Sequence, residues 1–277
     1  MRLPATWLAR RMPTLPLVQV DAFAERAFEG NPAAVVRLEQ WLPDALLLAI
    51  AMENNLSETA FVVGAGGAYD LRWFTPTVEV DLCGHATLAA GSVVLGEDGG
   101  AQATFQTRSG PLTVTRAGAA FELDLPAHPH GAEGIDPLVV AALGATPLTG
   151  FTVKALHHAT YWLAIYGSVD EIAALAPDFG ALGRLRSNVI CTAPGAGALD
   201  FVSRFFGPGS GVDEDPVTGS AHATLAPYWA ARLGRTTLRA RQLSRRGGDV
   251  ACELRGDRVL LRGGCVEVLR GALRFDV

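Results

Sequence analysis

Asp81-Leu82-Cys83-Gly84-His85-Ala86-Thr87-Leu88-Ala89 and Asp215-Pro216-Val217-Thr218-Gly219-Ser220-Ala221-His222-Ala223-Thr224-Leu225-Ala226 are variants of one pattern, set about half a chain apart. Each places an acid shortly before a glycine that opens an Ala-rich helical run. Repetition at that distance implies a duplicated fold. The glycine lets the backbone turn tightly into a helix whose first N–H groups have no partner within it. Such an end attracts anions, because unpaired donors and the helix dipole act together. Either segment alone reads equally well as an ordinary helix start. As a pair facing each other across a domain interface, they form a small pocket suited to a carboxylate-bearing substrate.

Working outward from the first segment, short alternating runs predict strands at 18–23, 33–37, 59–63, 69–74, 103–107, 112–116 and 121–125. Apolar spacing predicts a helix over 44–53 behind Asp44 as N-cap, and a buried, mostly apolar helix over 85–95. After Pro126, residues 127–134 read as a linker, with His128 and His130 expected at the solvent. Beyond it, Asp136-Pro137 and Gly144 bracket a short helix by cap, first-turn proline and terminal glycine. Further strands are predicted at 160–166, 188–192, 201–206, 238–243, 250–254, 258–262 and 265–269, with the second apolar helix over 221–233 and Pro227 as a kink point. Runs of strands with one isolated apolar helix per half predict an α+β protein of two similar domains, in each of which a curved sheet wraps a central helix. The expected divisions are an N-terminal extension over 1–16, a first domain over 17–126 and a second over 127–277, with the last strand free to return to the first. A doubly wound sheet is excluded, because strict alternation of strand and helix is missing.

A chain of 277 residues is long for one core and comfortable for two. Its 49% hydrophobic and 18% charged residues describe a compact soluble protein. A net charge of -5 without a block of Lys or Arg argues against nucleic acid or an acidic membrane surface as partner. No run approaches the about twenty apolar residues of a membrane span. Cys83, Cys191, Cys252 and Cys265 have no C-x-x-C spacing, so neither a metal site nor a redox pair is signalled, and they read as reduced thiols of a cytoplasmic protein. Met1 to Pro16 has the wrong order of charge and apolar stretch for a secretory signal.

Glu58 lies in Asn54-Asn55-Leu56-Ser57-Glu58-Thr59-Ala60-Phe61, at the entry to a strand and close in sequence to Leu56 and Phe61. A carboxylate against apolar neighbours is disfavoured in its charged form, which suits it to proton transfer; an exposed strand-end glutamate is the plainer alternative. His85 opens the first apolar helix, where a dipole end favours neutral imidazole, able to donate to or accept from a substrate oxygen. A capping or core histidine fits the local sequence equally. Asp215 stands apart from Asp213 and Glu214 because Pro216 restricts it to extended backbone. Ser220 reads as a helix cap or a ligand contact. Gly207-Pro208-Gly209-Ser210-Gly211 has the wrong spacing for a dinucleotide loop and reads as a flexible loop or backbone nest. Tyr161, Trp162, Tyr228 and Trp229 read either as core or as lining of a cleft. Cys83 raises two-thiol racemisation, but its counterpart is Thr218, too weak an acid to replace a thiolate. No phosphate loop, H-E-x-x-H or G-x-S-x-G motif occurs.

Val20-Asp21-Ala22-Phe23 with Gly30-Asn31-Pro32-Ala33, then Asn55-Leu56-Ser57-Glu58-Thr59, Asp81 to Thr87, and Glu214 to Ala221 together resemble the PhzF family of phenazine-biosynthesis-like isomerases, in order from about Leu17 to the C-terminus. The resemblance implies a diaminopimelate epimerase-like fold, two β-barrels each around a central helix, with the active site in the cleft between them. It implies a cofactor-free proton shift without a metal. In the phenazine enzyme, trans-2,3-dihydro-3-hydroxyanthranilate loses a proton from C3 and gains one at C1, giving an enol that tautomerises to a ketone. By the same resemblance Glu58 is the acid/base, His85, Asp215 and Ser220 bind substrate, and the Gly84 and Gly219 amides help hold its carboxylate. The implied partners are a small carboxylic acid substrate and a second copy of the chain as homodimer. The competing expectations are an epimerase using Cys83 with Glu58, and a non-catalytic metabolite-binding protein on the same fold.

Overall fold

The computed structural model describes residues 14–154 and 160–275. In the first half, β1 (Thr14–Ala22), β2 (Asn31–Leu38), α1 (Asp44–Asn54), β3 (Glu58–Ala65), β4 (Ala68–Phe74), β5 (Glu79–Val80), α2 (Gly84–Asp98), β6 (Gln102–Gln106), β7 (Leu112–Ala117) and β8 (Ala120–Pro126) follow in order. The second half continues with α3 (Pro137–Leu143), β9 (Thr149–Val153), β10 (Thr160–Ile165), α4 (Val169–Ala174), α5 (Phe179–Arg184), β11 (Ser187–Pro194), β12 (Phe201–Gly207) and β13 (Val212–Asp215). It ends with α6 (Gly219–Leu233), β14 (Thr237–Gln242), β15 (Gly248–Arg255), β16 (Arg258–Gly263) and β17 (Cys265–Arg274).

The duplication read from the two glycine segments is present strand for strand. In the first half β1–β2 is antiparallel, β2–β3 parallel, β3–β4 antiparallel, β4–β6 parallel, and β6–β7–β8 antiparallel. The second half repeats this through β9–β10, β10–β11, β11–β12, β12–β14 and β14–β15–β16. The two copies join where β8 lies antiparallel to β16, with Leu123 opposite Leu261, and β17 then pairs with β1. Each parallel pairing needs a long crossover, and in both halves one of these crossovers is the apolar helix.

A helix that is apolar all round is buried all round. α2 accordingly buries every residue from Gly84 to Gly91, packed against β1, β2, β3, β6, β7, β8 and β17. Gly91 sets how closely it can sit, since a Cβ there falls 2.4 Å from Cγ1 of Val114 on β7. α6 packs against β8, β14, β15 and β16. Pro227 lies inside α6 and cannot donate to the carbonyl four residues back. That carbonyl, of Ala223, instead accepts the backbone N–H of His128 at 3.0 Å, so the connecting segment docks where the helix ladder is broken. His128 and His130 are consequently half-buried rather than at the solvent, and the His130 ring lies 4.2 Å from that of Phe151.

Register makes the two halves comparable residue by residue. Thr59 pairs with Phe74 as Val189 pairs with Phe206, and Phe74 pairs with Glu79 as Phe206 pairs with Glu214. Arg72 accordingly forms two hydrogen bonds of 2.7 Å to Glu79, and its counterpart Arg204 bonds Glu214 at 2.7 and 2.9 Å. Each guanidinium also covers a ring of its own strand, Phe74 and Phe206 respectively.

The sequence expectation misses β5, β9, β13, α4 and α5 and starts β1 late: Thr14, Leu15 and Pro16, assigned to the extension, pair with β17. The rest of that extension, 1–13, lies outside the described residues. α4 and α5 have six residues each, too few for a helical period to show, and are fixed by their N-caps Ser168 and Asp178.

Candidate active site

The two helix starts meet back to back. A Cβ on Gly84 falls 3.2 Å from Cα of Gly219, and one on Gly219 falls 3.2 Å from Cα of Gly84. Neither glycine has positive φ, so close approach, and not the tight turn expected from sequence, requires glycine at both. The N-cap residues Cys83 and Thr218 make no side-chain capping bond. Both helices thus begin without a side-chain cap beside a cleft of about 310 Å³, which both glycines line. That is the size of a small-ligand pocket. No lysine or arginine lines it among the described residues, so an anionic group there meets the two helix N-termini and His85.

Glu58, at the start of β3, lines the cleft. Side chains alternate along a strand: Ala60 and Val62 pack with α2 in the main core, whereas Phe61 turns to the separate cluster around α1. Glu58 shares the inward face, and its neighbours are therefore polar rather than the Leu56 and Phe61 expected from sequence. Its Oε2 lies 3.1 Å from Nε2 of His85, and neither atom makes an aligned hydrogen bond among the described residues. The Glu58 side chain is 16% exposed and that of His85 5%, so this carboxylate oxygen is shielded, unsatisfied and at the wall of the cleft.

On its other side, Nδ1 of His85 is 3.6 Å from Sγ of Cys83. Burial, aided by Glu58, pushes the Cys83 thiol up to about 11. Burial opposes the imidazolium of His85, but negative charge available on Cys83 and Glu58 outweighs it and raises its pKa well above the ordinary value. The neutral ring expected from the helix end is opposed by these two acidic neighbours, Cys83 and Glu58. Ligand atoms of Glu58, Cys83 and His85 lie within 4.8 Å of one another, but a thiol that holds its proton to about 11 is a poor metal ligand.

Asp215 faces this group from the other half. Asn31 Nδ2 donates to its Oδ1 at 2.8 Å, and the Thr218 hydroxyl donates to Oδ2. Burial raises Asp215 to about 6; His85, Thr218 and Asn31 pull it down, and Glu58 pushes it up. Its register partner is Phe205, as that of Val80 is Trp73, so its counterpart in the first half is Val80 and not Asp81. Asp81 is exposed, 3.8 Å from Arg108. The same mapping sets Glu58 against Asn188, Cys83 against Thr218 and His85 against Ser220. Ser220 is half-buried, lines the cleft and caps nothing, since Thr218 is the N-cap.

The six site residues predicted from sequence thus converge on one cleft. Sequence reasoning missed the roles of Asn31, Thr218 and Gln242. Gln242 is buried, accepts from Thr218 N at 2.9 Å and donates to the Asp215 carbonyl at 2.7 Å, fixing the turn that carries the acid. Of the four aromatics left open, Tyr161 lines the cleft, Trp229 is core, bonded to Thr192 at 3.0 Å, and Trp162 and Tyr228 pack against the cores. Gly207, Gly209 and Ser210 form the opposite lip, on a short 3₁₀ turn.

Comparison with known proteins gives a consistent picture. The family profile described as "Phenazine biosynthesis-like protein" (PhzC-PhzF) matches residues 20–271. An uncharacterized isomerase of Pseudomonas aeruginosa is 48% identical over 264 residues, covering 94% of this chain and 99% of the relative. A human phenazine biosynthesis-like domain-containing protein is 39% identical, with 94% and 99% covered. Among solved structures, a PhzF-family protein of Enterococcus faecalis superimposes with a TM-score of 0.84 at 44% identity, covering 95% of this chain and all of that one. A hydroxyproline epimerase of Agrobacterium vitis, at 10% identity and a TM-score of 0.59, shares the fold, with 97% of this chain and 94% of that one covered.

Proposed function

Because this chain belongs to the phenazine biosynthesis-like (PhzC-PhzF) family, we propose that it is an isomerase that moves a proton between two carbons of a small cyclic or unsaturated amino or hydroxy acid, with Glu58 as the single acid/base and no cofactor. The observation that carries this reading is Oε2 of Glu58, shielded from solvent, without an aligned hydrogen bond and set at the cleft wall against His85. The substrate carboxylate lies at the Gly84 and Gly219 amides, where two helix N-termini meet beside the cleft. Glu58 takes a proton from a carbon flanking a double bond; the C–H electrons become the new double bond, and the old one shifts. The electron pair released at the far carbon then takes a proton back from Glu58, whose carboxyl proton exchanges with solvent between the two steps. His85 steadies the carboxylate when it is charged, while Asp215 and Ser220 orient polar groups of the substrate.

A two-base epimerisation needs acid and base on opposite faces of one carbon. Cys83 and Glu58 come from the same half with their ligand atoms within 4.8 Å, and the thiol is buried and protonated, which favours the one-base shift. The test is turnover of trans-2,3-dihydro-3-hydroxyanthranilate and related unsaturated acids in D2O, followed by NMR, beside the Glu58→Gln variant. Deuterium at carbon with wild type and none with the variant is expected. Equal exchange by a folded Glu58→Gln protein would overturn the assignment of Glu58.

A further inference from the structure

Asn31 is fully buried at the start of β2 and belongs to the first half, yet two of its three contacts lie in the second. Its Nδ2 is 3.0 Å from Nδ1 of His85, 2.8 Å from Oδ1 of Asp215 and 3.0 Å from the carbonyl oxygen of Val217. An amide nitrogen carries two hydrogens, so three acceptors compete for two donors whenever Nδ1 of His85 carries no proton. The amide oxygen, also buried, has no partner among the described residues. This arrangement is costly for a residue serving stability alone, because a buried acceptor left unpaired is a net loss.

The segment before Asn31 is gripped from the second half as well. Arg246 donates to the carbonyls of Glu29 and Gly30 and pairs with the buried Asp21 at 2.8 Å, and Gly30 N–H bonds Gly247 O at 2.7 Å. The amide is therefore held at a fixed depth between the two halves.

We propose that Asn31 is a positioning residue that couples the protonation of His85 to that of Asp215 across the interface, by sharing one amide group between His85 Nδ1 and Asp215 Oδ1. A hydrogen bond donated to a carboxylate favours its charged form, and an N–H facing Nδ1 disfavours a proton there. Asn31 thus holds Asp215 towards carboxylate and restrains the protonation of His85 that Glu58 promotes. The groups facing this pair are Glu58 on β3, Cys83 before α2, and Thr218 and Gln242 beside Asp215. The inference rests on the reading of the site only in taking His85 and Asp215 as its working groups, and titration midpoints do not depend on turnover, so either idea can fail without the other.

The experiment is NMR titration of the full chain between pH 4 and 9, following the Asp215 carboxyl carbon and the His85 ring nitrogens in wild type and Asn31→Ala. Loss of a hydrogen bond to a charged group moves the Asp215 midpoint upward by about one to two units, with His85 moving the same way. An unchanged Asp215 midpoint in a folded variant overturns the proposal. Should Asn31→Ala not fold, the wild-type side-chain amide of Asn31 decides: its nitrogen resonance must follow the Asp215 titration, and a flat response across that range refutes the coupling.

Discussion

Replacing Gly219 by alanine sets a methyl group 3.2 Å from Cα and 3.7 Å from the carbonyl carbon of Gly84, and 3.7 Å from Cδ1 of Leu261. Carbon atoms rest at about 3.5–4.0 Å, so the two helix starts must part by a few tenths of an ångström. Leu261 can turn away; the backbone of Gly84 cannot. Overpacking of this kind costs about 1–3 kcal/mol, and alanine recovers up to about 1 kcal/mol through its better helix propensity. The expected net destabilisation is about 1 kcal/mol. Gly84→Ala meets the mirror-image contact and should cost a similar amount. In the double variant the second methyl meets a gap already opened or clashes with the first, so the two costs should fail to add by more than about 0.5 kcal/mol. Function should suffer more than stability. If the first N–H groups of both helices hold the substrate carboxylate, displacing them by a fraction of an ångström should raise KM about 3- to 10-fold, scaled from the hundredfold penalty of a 1 Å misplacement. Urea denaturation of both single variants and the double, with KM measured on each, tests both parts. Additive stabilities would show that the glycines do not oppose each other. Lowered stability with unchanged KM would show that the carboxylate is held elsewhere.

Cys83→Ala should keep activity within about 3-fold, since a thiol protonated to about 11 does not abstract protons at neutral pH; a loss beyond 100-fold in steady-state assays would restore Cys83 to the chemistry. For Asp215, burial raises the folded pKa from 3.8 to about 6, so the folded state holds the proton more tightly than the unfolded one. Its contribution is stabilising at low pH and is lost as pH rises through about 6. Asp215→Asn should therefore gain stability relative to wild type between pH 4 and pH 7, on the order of 1–3 kcal/mol, read from denaturation at both values; an equal difference at both would contradict the raised value.

The repeated glycine segments were enough to predict two halves with a central helix each, because apolarity all round a helix and alternation along strands are both visible locally. β5, β9, β13, α4 and α5 were not legible, because with two to six residues each they are too short for a strand or helix period to show. In the site, Glu58 and His85 stood out by residue type and position, but the direction of the His85 shift did not, since it depends on a carboxylate 27 positions away in the chain, at 3.1 Å. The likeness of Asp81 to Asp215 misled by one residue, a difference that only strand register resolves. Asn31 is visible in sequence as part of Gly30-Asn31-Pro32-Ala33, but nothing there shows that its amide reaches residues 184 and 186 positions later.

The paired arginines show where the two copies have stayed alike and where they have not. Arg72 with Glu79 and Arg204 with Glu214 are kept in the same register, while the wall positions differ at His85 and Ser220 and at Val80 and Asp215. Two identical subunits meeting at such a cleft could never diverge in this way, because any substitution in one wall would appear in the other. Joining both copies in one chain makes the walls genetically independent. A molecule entering the cleft meets the imidazole of His85 on one side and the hydroxyl of Ser220 at the matching position on the other, so it is bound in one orientation, and its two ends need not resemble each other.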